Sequence, residues 1–458
     1  MSSNNTTTAL EKNIMTKGSI QKKIIAFAVP LFIGNLFQQL YNAVDSVIVG
    51  NFVGDNALAA VSSAGNLIFM IVGFFNGISV GAGVIVARYI GAKDDENVER
   101  SVHTTVALGL VFSAIMTLIG VLLTPVFLNW MNTPAEVFPE SVTYFRVYFA
   151  GSLGLIMYNL LVGILQAAGD SKNPLMYLII SSVVNTLLDL LFVAVLGMGV
   201  GGAALATIIA QLLSAVLCFI KLVRSTEIYR IVPQRIRLEM DMVRNIFKFG
   251  LPSGLQNSIM SFSNVVIQSF INAFGPEAMA GIGSYVKIEG FVFIPVTSFA
   301  MAITTFVSQN LGAGEYERTK KGIRFGMICV MIAAEALGIL LFIFAEPLVS
   351  LFTKDNNPDV IYYGMLRSRI VTLFFFLCAY THFMAAVLRG AGKPMIPMFV
   401  FLFCWCAMRV LILFVTEIFV HTIYTTFIVY PVTWTISSIT LFIYYKHLRI
   451  DKDAHYGM

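Results

Sequence analysis

Four carboxylates interrupt otherwise apolar stretches of this 458-residue chain: Asp45, Asp189, Glu289 and Glu335. Each is a candidate functional group, because a charge in an apolar membrane segment costs roughly 2.5 to 3.5 kcal/mol on insertion scales. Asp45 stands in NAVDSVIVG and Asp189 in SSVVNTLLDLLFV, both in the first half of the chain. Asn185 is one helical turn before Asp189 and shares its face. Thr207, early in the next apolar run, comes to a similar depth, whereas Asn159, in YNLLVGILQAAG, lies nearer mid-membrane. These five make a cation or proton site: two carboxylates supply charge, and amide and hydroxyl oxygens complete a shell suited to Na⁺ or H₃O⁺. Two neighbouring carboxylates in a low dielectric cannot both stay ionised without a cation. A group that binds and releases a proton near neutral pH is what ion coupling requires. The plainer alternative is that Asp45 caps a helix at headgroup level and Asp189 only hydrogen-bonds its neighbours.

A second set of charges lies in the other half: Lys287, Glu289, His382 and Arg409, all in apolar context. Lys287 and Glu289 are two residues apart and point to different sides of a helix. The pairs expected instead are Lys287 with Glu335 and Arg409 with Glu289, although Glu335 has no clear role. Such a set is either a buried ion pair that fixes helix packing or a polar patch on a cavity that contacts substrate. Gln38, Tyr41 and Met260 are further cavity candidates. Most of the 38 Phe and 21 Met must face lipid or fill helix interfaces, yet a wall of such adaptable side chains suits bulky amphipathic cations.

Several chemistries are excluded. The five cysteines are scattered singly, with no C-x-x-C and no histidine at ligand spacing, so neither a disulfide framework nor a zinc site is expected. GAGEYERTKKG is glycine-rich but lacks the phosphate-loop spacing. No enzyme activity, ATP hydrolysis, cofactor or metal beyond Na⁺ is expected, so work against a gradient would draw on H⁺ or Na⁺.

The elements that must hold these groups are membrane helices. Hydrophobic residues make up 57%, charged residues 12%, against roughly 25% charge in a soluble domain. Twelve apolar runs fall near 24–49, 57–87, 102–123, 141–167, 174–196, 200–220, 247–273, 278–308, 323–345, 361–388, 395–417 and 423–445, each long enough for a core of about 30 Å. With the N-terminus inside, the inner loops and tails carry 24 of the 30 Lys and Arg, the outer loops only Lys354. The positive-inside rule then makes both termini cytoplasmic and the location the cell membrane. The net charge of +5 follows from that bias and implies no nucleic acid. Residues 1–19 are a polar tail and no secretory signal; 20–222 form one six-helix lobe, 223–246 a cytoplasmic linker, 247–445 the second lobe and 446–458 a cytoplasmic tail. Pro30 removes the backbone hydrogen bond to Ala26 and makes a hinge in the first span.

The halves are copies. VGDNALAAVSS at 53–63 corresponds to FGPEAMAGIGS at 274–284, Pro30 and Asn42 to Pro252 and Asn264 at an offset of 222, and Ala168-Gly169 to Ala391-Gly392 at 223. Duplicated hydrophobic halves are a recurring architecture of secondary transporters, with substrate between the halves. The fold expected is all-α and polytopic, twelve transmembrane helices in two pseudo-symmetric six-helix bundles, acting as a monomer on a small amphipathic or cationic substrate in a lipid membrane.

At this level of detail the chain resembles the multidrug and toxic compound extrusion (MATE) transporters over residues 20–445. The resemblance is carried by NAVDSVIVGNFVGDNALAAVSSAGN, ARYIGA, ILQAAGDSKNP, SQNLGAG and VLRGAGKPMIP. An aspartate in the first span with Asn-x-x-x-Asp in the fifth is the pattern of the branch named for the DNA-damage-inducible F protein. That resemblance implies Asp45, Asn159, Asn185, Asp189 and Thr207 as ion or proton ligands. It also implies antiport of organic cations or drugs against H⁺ or Na⁺ by rocking-type alternating access. The carboxylates that another branch keeps in its C-terminal lobe fall near Met260 and Cys378, neither of which binds a cation well. The alternative is a flippase for lipid-linked precursors, which would use the cationic pair Lys287 and Arg409.

Overall fold

The structure, a computed structural model, describes residues 13–53, 55–130, 133–351, 357–420 and 422–448, without the side chains of 46, 50 and 55–70. Lys12, Lys354 and most of the two expected tails lie outside the described residues.

Helices follow the apolar runs. In the first half they are Ile20–Phe52, Asp55–Ala92, Asp95–Trp130, the pair Phe138–Ala150 and Ser152–Ala167, Lys172–Val195 and Gly199–Val223. The second half has Met240–Asn272, Pro276–Gly312, Tyr316–Ile343, Pro358–Gly390, Met395–Phe419 and Ile423–His447. Numbered first to twelfth span, they reproduce the six-and-six expectation. Among the described residues, ten are long and apolar enough to cross a membrane alone, and the fourth, bent by 48°, makes eleven. The remaining one, the seventh, has ample length at 33 residues but carries Ser253, Gln256, Asn257, Ser258, Ser261, Ser263, Asn264 and Gln268, which offset its apolar positions. Polar groups at membrane depth belong on protein or on water-filled space.

The duplication is visible in backbone geometry. The fourth and tenth spans end in the same turn: Gly169 and Gly392 both have φ of 84°, a conformation that glycine adopts without a Cβ clash. In each turn the residue after the glycine reaches back five positions, from Asp170 N–H to the Leu165 carbonyl at 2.9 Å and from Lys393 N–H to that of Leu388 at 2.8 Å. This closure satisfies the last free carbonyls of both helices.

The chain divides into two compact units. One contains Val29–Gly254 with the residues up to Lys17; the other contains Leu255 onward with Gly18–Ala28. The first span therefore changes unit between Ala28 and Val29, next to Pro30, and the seventh between Gly254 and Leu255, two residues after the repeat-related Pro252.

In the first unit, Val86, Ile90, Val98, Val102, Ile164 and Cys218 form a core that also takes in Tyr229 and Ile231 of the connecting segment. The linker expected over 223–246 is thus built into that unit. Arg100 pairs with Glu239 and Asp241, both at 2.5 Å, and Arg235 with Glu99. The Val232 N–H donates to Nε2 of the buried His103, at 2.9 Å. The Arg100 hydrogen bond holds the Glu239 carboxyl below the usual glutamate range. Close backbone packing is another feature of this unit: a Cβ on Gly77 or Gly81 of the second span would collide with the backbone of Gly254 or Gly250. In the second unit the eighth span packs along the ninth and tenth.

Candidate functional site

The first, fifth and sixth spans build a polar recess in the first unit. The carboxyl groups of Asp45 and Asp189 meet within hydrogen-bonding reach of each other. Asp189 is fully buried, Asn185 is 2% exposed, and Asp45 is half-buried. Beside them Tyr41, Leu178, Ser181, Ser182, Asn185, Thr207, Ala210 and Gln211 line a small recess. The Tyr41 hydroxyl is in reach of the amides of Gln38 and Gln211, and buried Tyr144 lies within electrostatic range of both carboxylates.

Local sequence explains the geometry. Ser181, Ser182, Asn185 and Asp189 recur at three- and four-residue steps and so form one stripe of the fifth helix. Thr207 and Gln211 do the same on the sixth. The hydroxyls of Ser181, Ser182 and Thr207 donate to carbonyls of their own helices, at 3.0, 2.7 and 3.1 Å. Their donor capacity is used while lone pairs remain to accept. Asp189 also sits at a change of helix type, because Leu190–Val195 winds as a π-helix. Such single-turn π segments frequently accompany functional sites.

The electrostatic character is mainly that of an acceptor site, with one unpartnered buried donor, Nδ2 of Asn185, beside it. Both oxygens of Asp189, Oδ1 of Asp45 and Oε1 of Gln211 are buried and receive no hydrogen bond. Two facing carboxyls with no donor between them are tolerable in a low dielectric only when a proton or a cation lies between them.

Of the five predicted ligands, the structure gathers four: Asp45, Asp189, Asn185 and Thr207. Asn159 stands apart. Its side-chain amide donates to the Leu155 carbonyl of its own helix at 2.8 Å, and its backbone carbonyl accepts from the Ser79 hydroxyl at 2.6 Å. Tyr41, named only as a cavity candidate, is next to the acids, with Gln38 in reach of its hydroxyl, and the recess also includes Ser181, Ser182 and Gln211, which sequence reasoning missed. The periodic polar stripe on the fifth and sixth helices was the signal that could have found them.

The charges of the second unit pair differently from expectation. Glu289 accepts from Arg367 of the tenth span at 3.3 Å, where Arg409 was expected. Glu335 accepts from the Phe376 N–H at 3.1 Å, where Lys287 was expected. It thereby satisfies the first turn of Phe375–Gly390, which starts afresh after the 3₁₀ segment Thr372–Phe374. Lys287 is exposed and Met260 half-buried. His382 packs edge-on against Phe293, Phe401 and Trp405, and Cys378 is buried.

Known proteins share this fold. The chain is 27% identical over 449 residues to "Probable multidrug resistance protein YoeA" of Bacillus subtilis (strain 168), covering 96% of each chain. It is 28% identical over 410 residues to "Probable multidrug resistance protein NorM" of Thermotoga maritima, covering 87% of each. A solved structure of a multidrug resistance MATE family transporter in an outward-facing conformation superposes with a TM-score of 0.89 at 23% identity, covering 97% of this chain and 99% of that one. The MatE family model matches twice, at residues 30–191 and 252–433, once in each copy of the repeat, and the chain therefore belongs to the MatE family of multidrug and toxic compound extrusion transporters, multi-pass membrane proteins that are not enzymes.

Proposed function

We propose that this transporter exports organic cations or drugs in exchange for H⁺ or Na⁺, coupled through Asp45 and Asp189 of the N-terminal lobe. The observation that carries the reading is the facing pair of buried carboxyl groups whose oxygens find no donor. Asn185 and Thr207 complete the shell and Tyr41 borders it, as expected for the branch named for the DNA-damage-inducible F protein. Both multidrug resistance relatives are consistent with a drug as the exported molecule, and rocking-type alternating access is the expected route. Both termini and the 223–246 segment are read as cytoplasmic on the positive-inside rule.

Binding of the coupling ion relieves repulsion between the two carboxylates and favours the first span packed against the fifth. Because that helix is weakened at Pro30, about four turns from Asp45, occupancy biases its bend. A bias of about 1.4 kcal/mol between the two shapes suffices for a tenfold shift. Purified protein in proteoliposomes with separately imposed pH and Na⁺ gradients tests the coupling: one gradient should drive substrate uptake or release, and Asp189→Asn should remove the response. Equal drive by that gradient in Asp189→Asn vesicles would sink the proposal. Spin labels on the outer ends of the first and fifth spans test the bend, which fails if their distance distribution is the same across the titration, with and without Na⁺, and in Asp45→Asn.

A further inference from the structure

We infer that the C-terminal lobe holds a buried binding site for one small monovalent anion, of chloride size, between Arg367 and Arg409. Both guanidinium groups are almost fully buried, at 3% and 1% exposure. They lie against opposite partners but share one tyrosine: Arg409 is 4.6 Å from the centroid of the Tyr430 ring and Arg367 is 4.9 Å from it. Arg367 also covers Tyr285 at 5.2 Å, and Arg409 covers Trp405 at 5.0 Å. Aromatic faces attract a cation but do not neutralise it.

The charge balance is the reason for an anion. Glu289 is the one carboxylate paired here among the described residues, and it meets Arg367. Arg409 makes no ion pair among them; its Nη2 donates only to the Thr433 hydroxyl, at 3.0 Å. Two buried cations against one buried carboxylate leave a net positive charge, and an uncompensated buried charge is strongly destabilising.

The hydrogen-bond balance points the same way. Nε of Arg367, Nε of Arg409, the Tyr285 hydroxyl and the Trp434 indole N–H are all buried without a partner. These are donors, three of them donor-only, gathered around the eighth, tenth, eleventh and twelfth spans. A water molecule could accept two such bonds but would leave the charge in place, and a metal cation would be repelled. A halide offers negative charge and several acceptor directions at once. Phe401–Met408, the segment immediately before Arg409, is a π-helix, which turns the residue after it away from the α-helical position it would otherwise hold.

Thermal unfolding of the purified full-length protein, with sodium constant and gluconate exchanged for chloride or bromide at fixed ionic strength, tests the site. Sodium is held constant so that the acidic site of the other lobe does not vary. A saturable halide-dependent rise in unfolding temperature of about 2 to 4 °C is expected; it should persist in Asp189→Asn and vanish in Arg409→Met. Crystals grown in bromide should show an anomalous peak between the two guanidinium groups. Because Arg409→Met also alters buried packing, the bromide peak in the unaltered protein stands as an independent readout. No halide-specific stabilisation and no peak beside Arg409 would overturn the inference, as would a halide response undiminished in Arg409→Met.

Discussion

The two lobes descend from one unit yet bury opposite chemistry. In the N-terminal lobe two carboxyls face each other, and four buried oxygens wait for a donor. In the C-terminal lobe two buried guanidiniums stand beside a single carboxylate that pairs with Arg367, and four buried donor atoms wait for an acceptor. Each charged centre adjoins a π-helical segment, after Asp189 in one lobe and before Arg409 in the other. The common scaffold supplies the buried position, and the side chains choose the sign of the buried charge. A duplicated membrane protein can thus bury facing carboxyls in one copy while the other copy drifts to a different charge, since the helices that shield both are held by apolar packing.

The comparison breaks most directly at Asp189. Replacing it with Asn keeps shape and volume but removes the charge, so ion-driven export should fall to the level of empty vesicles while the protein still inserts; full drug efflux at normal expression would remove Asp189 from the mechanism. The matching change in the other lobe, Glu289→Gln, should leave transport coupling to the same ion but cost about 3 to 5 kcal/mol of stability, as for a buried pair losing one partner. A loss below about 1 kcal/mol on chemical denaturation would mean that Glu289 is not what holds Arg367.

The membership of the acidic site is sharpened by two parallel changes. A hydrogen bond to a charged group is worth about 1.5 to 3 kcal/mol, so Asn185→Leu should shift the ion concentration for half-maximal transport about tenfold or more. Asn159→Leu, whose amide is already engaged within its own helix, should shift it less than about twofold on the same arithmetic. The reverse order, measured in one vesicle preparation, would restore Asn159 to the shell and displace Asn185.

The smallest effect expected lies outside the membrane. Glu239, held below the usual range by Arg100, favours the docked linker above the ordinary glutamate pKa of about 4.3. That contribution is lost as pH falls through the lowered folded-state value. Limited proteolysis within 225–239 should therefore accelerate on acidification, and Arg100→Gln should be cut readily at neutral pH as well. Cleavage independent of pH in the unaltered protein would show that apolar burial of Tyr229 and Ile231 holds the segment alone.

Sequence by itself determined the architecture, because spanning a bilayer constrains composition so tightly that twelve apolar runs, the loop charges and the repeat offsets leave little freedom. It also determined the acidic site in outline: Asp45 and Asp189 stand out since any carboxylate in an apolar run is costly, and Asn185 follows from helical spacing. Tertiary structure decided the pairings. Arg367 rather than Arg409 meets Glu289, Glu335 satisfies the broken tenth helix, and the Asn159 amide turns to the Leu155 carbonyl of its own helix, because partner choice depends on which faces of distant helices meet. Spacing along one helix cannot fix its rotation against another. For the same reason the donor-rich cluster around Arg409, assembled from four spans far apart in the chain, had no signature in the sequence.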